Sequence, residues 1–153
     1  MTERATWGGG DIKAVARLLA RLDIGMLVTR ASDGRLHGRP MSNNGDVEWD
    51  GDSWFFAEAS SRKVKEIESD DAVELGFTDT ANGTWINVEG LAMVVRDDEE
   101  RKRDLWKKDL ERWFPGGPED PSVVLIKVTA QHIDAWSKDA EYILDRGSVG
   151  SAR

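Results

Sequence analysis

Apolar and polar positions follow two rhythms along this chain. Between Asp11 and Leu22, the apolar residues Ile12, Val15, Leu18, Leu19 and Leu22 recur at helical spacing, with Lys13, Arg17 and Arg21 turned the other way. Asp11 stands where an N-cap belongs, so a helix is expected from Asp11 to about Arg21, its apolar stripe facing a sheet. From Ile24 the period shortens to two. The runs IGMLVTRA and RLHGRPMSNN, joined by Ser32, Asp33 and Gly34, read as a hairpin. In its second strand His37, Arg39, Met41 and Asn43 share one face, while Leu36, Gly38, Pro40 and Ser42 share the other. Pro40 has no N–H to donate, which places this strand at a sheet edge or at a bulge.

VEWDGDSWFFAE reads as two short strands around the turn Asp50, Gly51, Asp52. A brief helix from Ser61 to Ser69 follows, with Val64 and Ile67 as its apolar stripe. AVELGFTD and TWINVEGLAMVV form a further hairpin around Asn82 and Gly83. From Asp97 to Trp113 the acids come first and the bases later, the order a helix dipole favours, so one long amphipathic helix is expected there. PGGPEDP stops it, and SVVLIKVTAQHIDAW is a last strand apolar on both faces. Residues 1–10 read as a loose arm and 138–153 as a C-terminal tail. Consecutive hairpins without βαβ alternation predict a mainly β domain, a six- to seven-stranded antiparallel barrel, closed or nearly so, with helices outside.

Composition narrows the chemistry. The 153 residues suit one domain, and charged residues at 33% against 39% hydrophobic suit a soluble one. No apolar run approaches the roughly 20 residues that cross a bilayer. MTERATWGGGD lacks the apolar centre of a signal peptide and there is no Cys, so a cytoplasmic location is expected. A net charge of −8 argues against a nucleic-acid surface, and two distant His without Cys argue against a metal site. GxSxG, Walker and GxGxxG patterns are absent, and Gly8 to Gly10 follow no strand. Asp97 and Asp98 are explained by the dipole of the helix they begin.

One junction stands out. At Trp54 to Ile67, WFFAEASSRKVKEI, a strand breaks into a helix whose first turn carries Arg62 and Lys63, where the dipole favours acids. An ordinary capped helix with solvated basic residues is one reading. The other is an anion site, since a helix start exposes free N–H groups that Ser60 or Ser61 can supplement. Arg39 on a neighbouring strand, with Ser61, Arg62 and Lys63, makes a set suited to a dianionic phosphate. Seven Trp exceed what the core needs and suit a planar ligand or a subunit interface.

Four motifs, RPM at Arg39 to Met41, SSRKVKEI at Ser60 to Ile67, WINVEG at Trp85 to Gly90 and WFPGGPEDP at Trp113 to Pro121, stand in an order that resembles a known family. It is that of the flavin-binding split barrels related to pyridoxamine 5'-phosphate oxidase, in its general stress protein branch. The resemblance spans roughly Ile12 to Trp136 and implies the FMN-binding split-barrel fold, with FMN between the two subunits of a homodimer. It implies phosphate contacts from Arg39, Ser61, Arg62 and Lys63, and isoalloxazine contacts along Arg39, Pro40, Met41, Ser42 and Asn43. By position Phe56, Ala57 and Trp85 are further flavin contacts. They stand where the oxidase has Tyr-Thr and Gln, so side-chain hydrogen bonds there are not expected. AEYILDRGSVGSAR lacks the C-terminal His of the oxidases, which disfavours vitamin B6 oxidation. The resulting expectation is an FMN-dependent oxidoreductase for an unidentified small substrate, with no catalytic side chain singled out. The alternative is a non-catalytic module that binds or senses flavin, deazaflavin or heme.

Overall fold

The computed structural model describes residues 6–8, 11–43 and 49–147. Among the described residues, eight strands and three α-helices follow one another. They are β1 (Thr6–Gly8), α1 (Ile12–Leu19), β2 (Ile24–Arg30), β3 (Leu36–Ser42), β4 (Asp52–Glu58), α2 (Arg62–Ser69), β5 (Ala72–Asp79), β6 (Thr84–Val95), α3 (Glu99–Leu105), β7 (Val123–Trp136) and β8 (Glu141–Gly147). A short 3-10 helix, Lys108–Arg112, follows α3. Every strand pairing is antiparallel. The main path runs β1-β8-β7-β6-β5-β2-β3, and β4 branches off it by pairing with β7.

β7 organises the sheet. Its fourteen residues pair with β6 along one edge and divide the other between two partners, β4 at Val123–Thr129 and β8 at His132–Trp136. Because β3 ends the path and β4 pairs only with β7, the described ladders leave the barrel open between β3 and β4. Pro40 lies on this open-edged strand, where its missing N–H costs no ladder bond, as its chemistry predicts. Gly90 marks the other departure from regularity: Glu89 and Gly90 pair with His132 and Ala130, so the extra residue, Gln131, bulges from β7 opposite β6. A Cβ on Gly90 would come within 2.9 Å of the Thr129 carbonyl, so the close approach requires glycine.

The inward faces carry the core, with Leu27, Leu75, Phe77, Val88, Ile126 and Ile133 buried together. α1 lays Val15 and Leu19 on it, and Asp11 caps this helix by accepting from the N–H groups of Lys13 at 2.9 Å and Ala14 at 3.2 Å.

Three expectations need correction. Residues 6–8 and 141–147, assigned to a loose arm and a tail, are strands β1 and β8. β8 occupies the edge of β7 that β4 leaves uncovered, and the Arg146 guanidinium lies 5.0 Å over the Trp7 ring. Three residues of β1 are too few to show a period. The long helix expected over 97–113 is broken: Asp98 caps α3 by accepting from the Arg101 N–H at 3.0 Å, but Trp106 is extended, at φ −67° and ψ 135°. That break seats the Trp106 ring edge-on against Phe56, 5.2 Å between centroids. Of the strand expected before Asp50, Val47 and Glu48 lie outside the described residues. Trp49 is in no strand; its indole N–H donates to Ser53 Oγ at 3.1 Å.

At the β7–β8 ladder His132 meets Asp145 at 2.7 Å and Asp134 at 3.2 Å. The Asp145 hydrogen bond raises the imidazole pKa above its ordinary 6.5, against burial and with help from Asp134. A raised folded pKa stabilises fully below pH 6.5, and that contribution disappears as pH climbs through the folded value. His132→Gln should therefore narrow its melting-temperature gap to the wild type between about pH 5 and 9, starting from a deficit below about 1 kcal/mol. A gap independent of pH would contradict this pairing.

Candidate functional site

β4 delivers the chain to α2 through a tight corner, in which the Ser61 N–H donates to the Glu58 carbonyl at 3.0 Å. Ser61 is the N-cap by position and is extended, at φ −70° and ψ 155°, but its side chain makes no capping bond. Its Oγ is buried with no hydrogen-bond partner among the described residues. A buried hydroxyl in that condition normally costs stability, so it marks a place where an acceptor belongs. The first helical bond is donated by Lys65, to the Ser61 carbonyl, leaving the amides of Arg62, Lys63 and Val64 without intrahelical acceptors. No acid occupies this first turn.

The surrounding cations divide into two groups. Arg39 is committed to the protein: Nη1 donates to the Leu27 carbonyl at 3.2 Å and Thr29 Oγ1 at 2.8 Å, and Nη2 donates to Glu66 Oε1 at 3.2 Å. Thr29 Oγ1 in turn donates to Glu66 Oε1 at 3.0 Å. On the other carboxylate oxygen, Glu66 Oε2 meets His37 Nδ1 at 2.6 Å and Arg62 Nε at 3.7 Å. Arg62 also donates to His37 Nε2; since arginine only donates, His37 accepts at Nε2 and carries its proton on Nδ1. Burial alone pushes the Glu66 carboxyl pKa up. The hydrogen bonds from His37 and Thr29, with the Arg62 charge, outweigh it and hold the group below its ordinary value.

Lys63 is different. Half-buried, it has no carboxylate within ion-pair distance among the described residues. Burial first, then the Arg39 charge, lower its pKa, with Glu58 opposing weakly. An anion brought to this ammonium relieves both penalties.

Lys63 lines a groove of about 740 Å³ in the opening between β3 and β4. One wall is Pro40, Met41, Ser42 and Asn43 from β3 and the residue after it. Trp54 and Phe56 of β4 form the floor, and Leu110, Trp113 and Phe114 of the 105–114 segment form the outer wall. Phe56, Trp106 and Phe114 make a three-ring cluster with centroids 5.2 to 6.4 Å apart, in which Trp106 backs the two rings, Phe56 and Phe114, that line the groove. Asn43 is fixed by donating to the Leu19 and Leu22 carbonyls at 3.0 and 2.8 Å, which ties the β3 end of the groove to α1.

The structure thus brings Pro40, Met41, Ser42, Asn43, Phe56 and Lys63 to one groove and places Ser61, Arg39 and Arg62 beside it, around α2. Ala57 faces the core and is fully buried. Trp85 lies apart from the groove lining of its own chain, half-exposed at the start of β6, where it pairs across strands with Trp136. Glu66 is the residue that sequence reasoning missed. Its only local signal is the i,i+4 spacing to Arg62, which reads as a surface pair.

Residues 10–145 match the sequence model of the family described as pyridoxamine 5'-phosphate oxidase like. The chain belongs to this family. It is 33% identical to protein bli-3 of Neurospora crassa over 116 residues, 67% of this chain and 53% of that protein. The chain therefore spans about half the length of that curated relative. In structure it is similar to general stress protein 26 of Bacillus anthracis, with a TM-score of 0.72 and 27% identity over 86% of this chain and 96% of that one. It is also similar to an F420 reductase, with a TM-score of 0.58 and 25% identity over 76% of this chain and 93% of that one. The split barrel expected from the motifs is the observed fold, with eight described strands instead of six or seven.

Proposed function

We propose that this pyridoxamine 5'-phosphate oxidase-like chain binds FMN in the β3–β4 groove and serves as an FMN-dependent oxidoreductase acting on a small substrate. The observation that carries the reading is the buried Ser61 hydroxyl, without a hydrogen-bond partner among the described residues, at a helix start whose first amides adjoin Lys63, which has no carboxylate partner among those residues. These groups fit a phosphate monoester: a hydroxyl donor, backbone donors and an ammonium, with Arg39 adding positive charge from behind. The aromatic groove fits a planar ring system. Bound flavin supplies the electron transfer, and the chain supplies position, charge and exclusion of water. Adding FMN to the purified full chain and recording the visible spectrum tests this: saturable change is expected, and its absence would sink the reading. Steady reduction of bound flavin by NADH or NADPH, followed by reoxidation with an acceptor, distinguishes an enzyme from a module that only binds or senses.

A deazaflavin in the same groove is the second reading, favoured by the 25% identity to an F420 reductase. Direct competition between FMN and F420 ranks the two.

The same reading includes a homodimer. The outer face of the sheet exposes Ile24, Met26, Trp85, Trp136 and Ile143, each at least 40% accessible. The register aligns Met26, Gly76, Asn87, Asp134 and Ile143 in one row across four ladders, with Trp85 and Trp136 paired on the same face. Ile24 belongs both to this face and to the groove lining, so a second copy seated here reaches the ligand. Trp85→Glu is expected to convert a dimer to a monomer in light scattering; an unchanged mass would place the interface elsewhere.

A further inference from the structure

The outer wall of the groove presents one side chain that its own fold leaves uncovered. Phe114, next to Trp113, is turned into the cluster with Phe56 and Trp106, and Leu110 lines the same wall. Trp113 itself is 68% exposed, the highest value among the exposed large apolar residues described. The segment holding it is stiff. The Trp113 and Phe114 amides donate to the Leu110 carbonyl at 3.0 and 2.8 Å, and the Gly117 amide, at φ +77°, donates to the Phe114 carbonyl at 3.1 Å. Lys102, 1% exposed, reaches from α3 to clamp the far end by donating to the Asp120 carbonyl at 3.0 Å. One ring contact is described for the indole, the Arg112 guanidinium at 5.6 Å from its centroid. An indole carried on a hydrogen-bonded backbone at the rim of an aromatic groove has only its own side-chain freedom to lose and gains from a flat partner.

We propose that Trp113 is a ligand-contacting residue, its indole lying against the planar ring held between β3 and the 105–114 segment. The groove then selects ligands by an extended aromatic plane at one end and by an anion at the α2 end, and the two selections are separable. This rests on the flavin reading above. Ring stacking acts on the part that FMN and riboflavin share, so Trp113→Ala should weaken both by the same factor, on the order of tenfold. Trp113→Phe should retain most of the affinity.

The test uses the full chain labelled with 5-fluorotryptophan, the Trp113 resonance being assigned by its loss in Trp113→Phe. Titration with FMN is expected to shift that resonance with the same midpoint as the change in flavin absorbance. Saturable absorbance change with an unmoved Trp113 resonance, or a Trp113→Ala chain that binds FMN as tightly as wild type, overturns the proposal while the flavin reading stands. A resonance that moves with protein concentration and not with FMN overturns it in favour of contact with a second copy. No saturation by any signal refutes both.

Discussion

Glu66→Ala is expected to cost about 3 kcal/mol of folding stability, or roughly 10 °C in melting temperature for a chain of this size. The carboxylate is nearly buried and receives donors from three elements: Thr29 on β2, His37 and Arg39 on β3, and Arg62 on its own helix. Removing it leaves the Arg39 guanidinium partly buried without a counter-charge, and an unpaired buried ion costs more than the pair contributed. Arg62 is mostly in water and adds little to the loss. Glu66→Gln keeps the shape and should lose less. Arg39→Met combined with Glu66→Leu should recover part of the deficit, since replacing both charges strands neither. The pH dependence has a definite sign: the folded pKa lies below the ordinary 4.5, so this stabilisation is present above pH 4.5 and is lost as acid drives pH through the folded value. Denaturant melts of wild type and Glu66→Gln should therefore converge in acid. Parallel curves down to acid unfolding would show that Glu66 is not the coupled group.

Lys63→Ala is expected to weaken FMN about 10- to 100-fold while leaving riboflavin within about twofold, because one charge-assisted contact to phosphate is removed and the ring contacts remain. Ser61→Ala should act in the same direction, more weakly, and should stabilise the ligand-free chain slightly, since it deletes a buried hydroxyl that has no partner. Titration of both ligands against both variants by flavin absorbance provides the measurement. Equal losses for FMN and riboflavin would move the phosphate away from α2. Arg39 is the poorer choice for such a test despite its resemblance-based role, because its substitution also breaks the Glu66 network and confounds binding with folding.

The contrast between Lys63 and Arg39 shows what local sequence carries. A strand-to-helix junction with Ser61 and two cations in the first turn is visible in consecutive residues, since the dipole and the capping position are set by neighbours a few residues apart. The same holds for the Asp11 cap, the hairpin turns at Gly34 and Gly83, and the unpaired edge that Pro40 announces. Which cations remain available to a ligand is not local. Arg39 and Glu66 lie 27 positions apart, and Thr29 and Glu66 37, so the ion network exists only after β2, β3 and α2 have met.

The sequence alone therefore determined the succession of α1, β2 to β4, α2 and β5 to β7, the antiparallel character of the sheet and the strand-to-helix corner on which the anion-site proposal rests, each of which depends on spacing within a few residues. The tertiary structure decided the rest. It divided one edge of β7 between β4 and β8, opened the groove between β3 and β4, broke the expected long helix so that Trp106 could meet Phe56, and set Trp85 on the outer sheet face. It also spent two of the four phosphate candidates, Arg39 and Arg62, on a buried carboxylate. Ion pairing and ring packing act between residues distant in sequence, and a side chain with several compatible partners takes the one that the fold brings within reach.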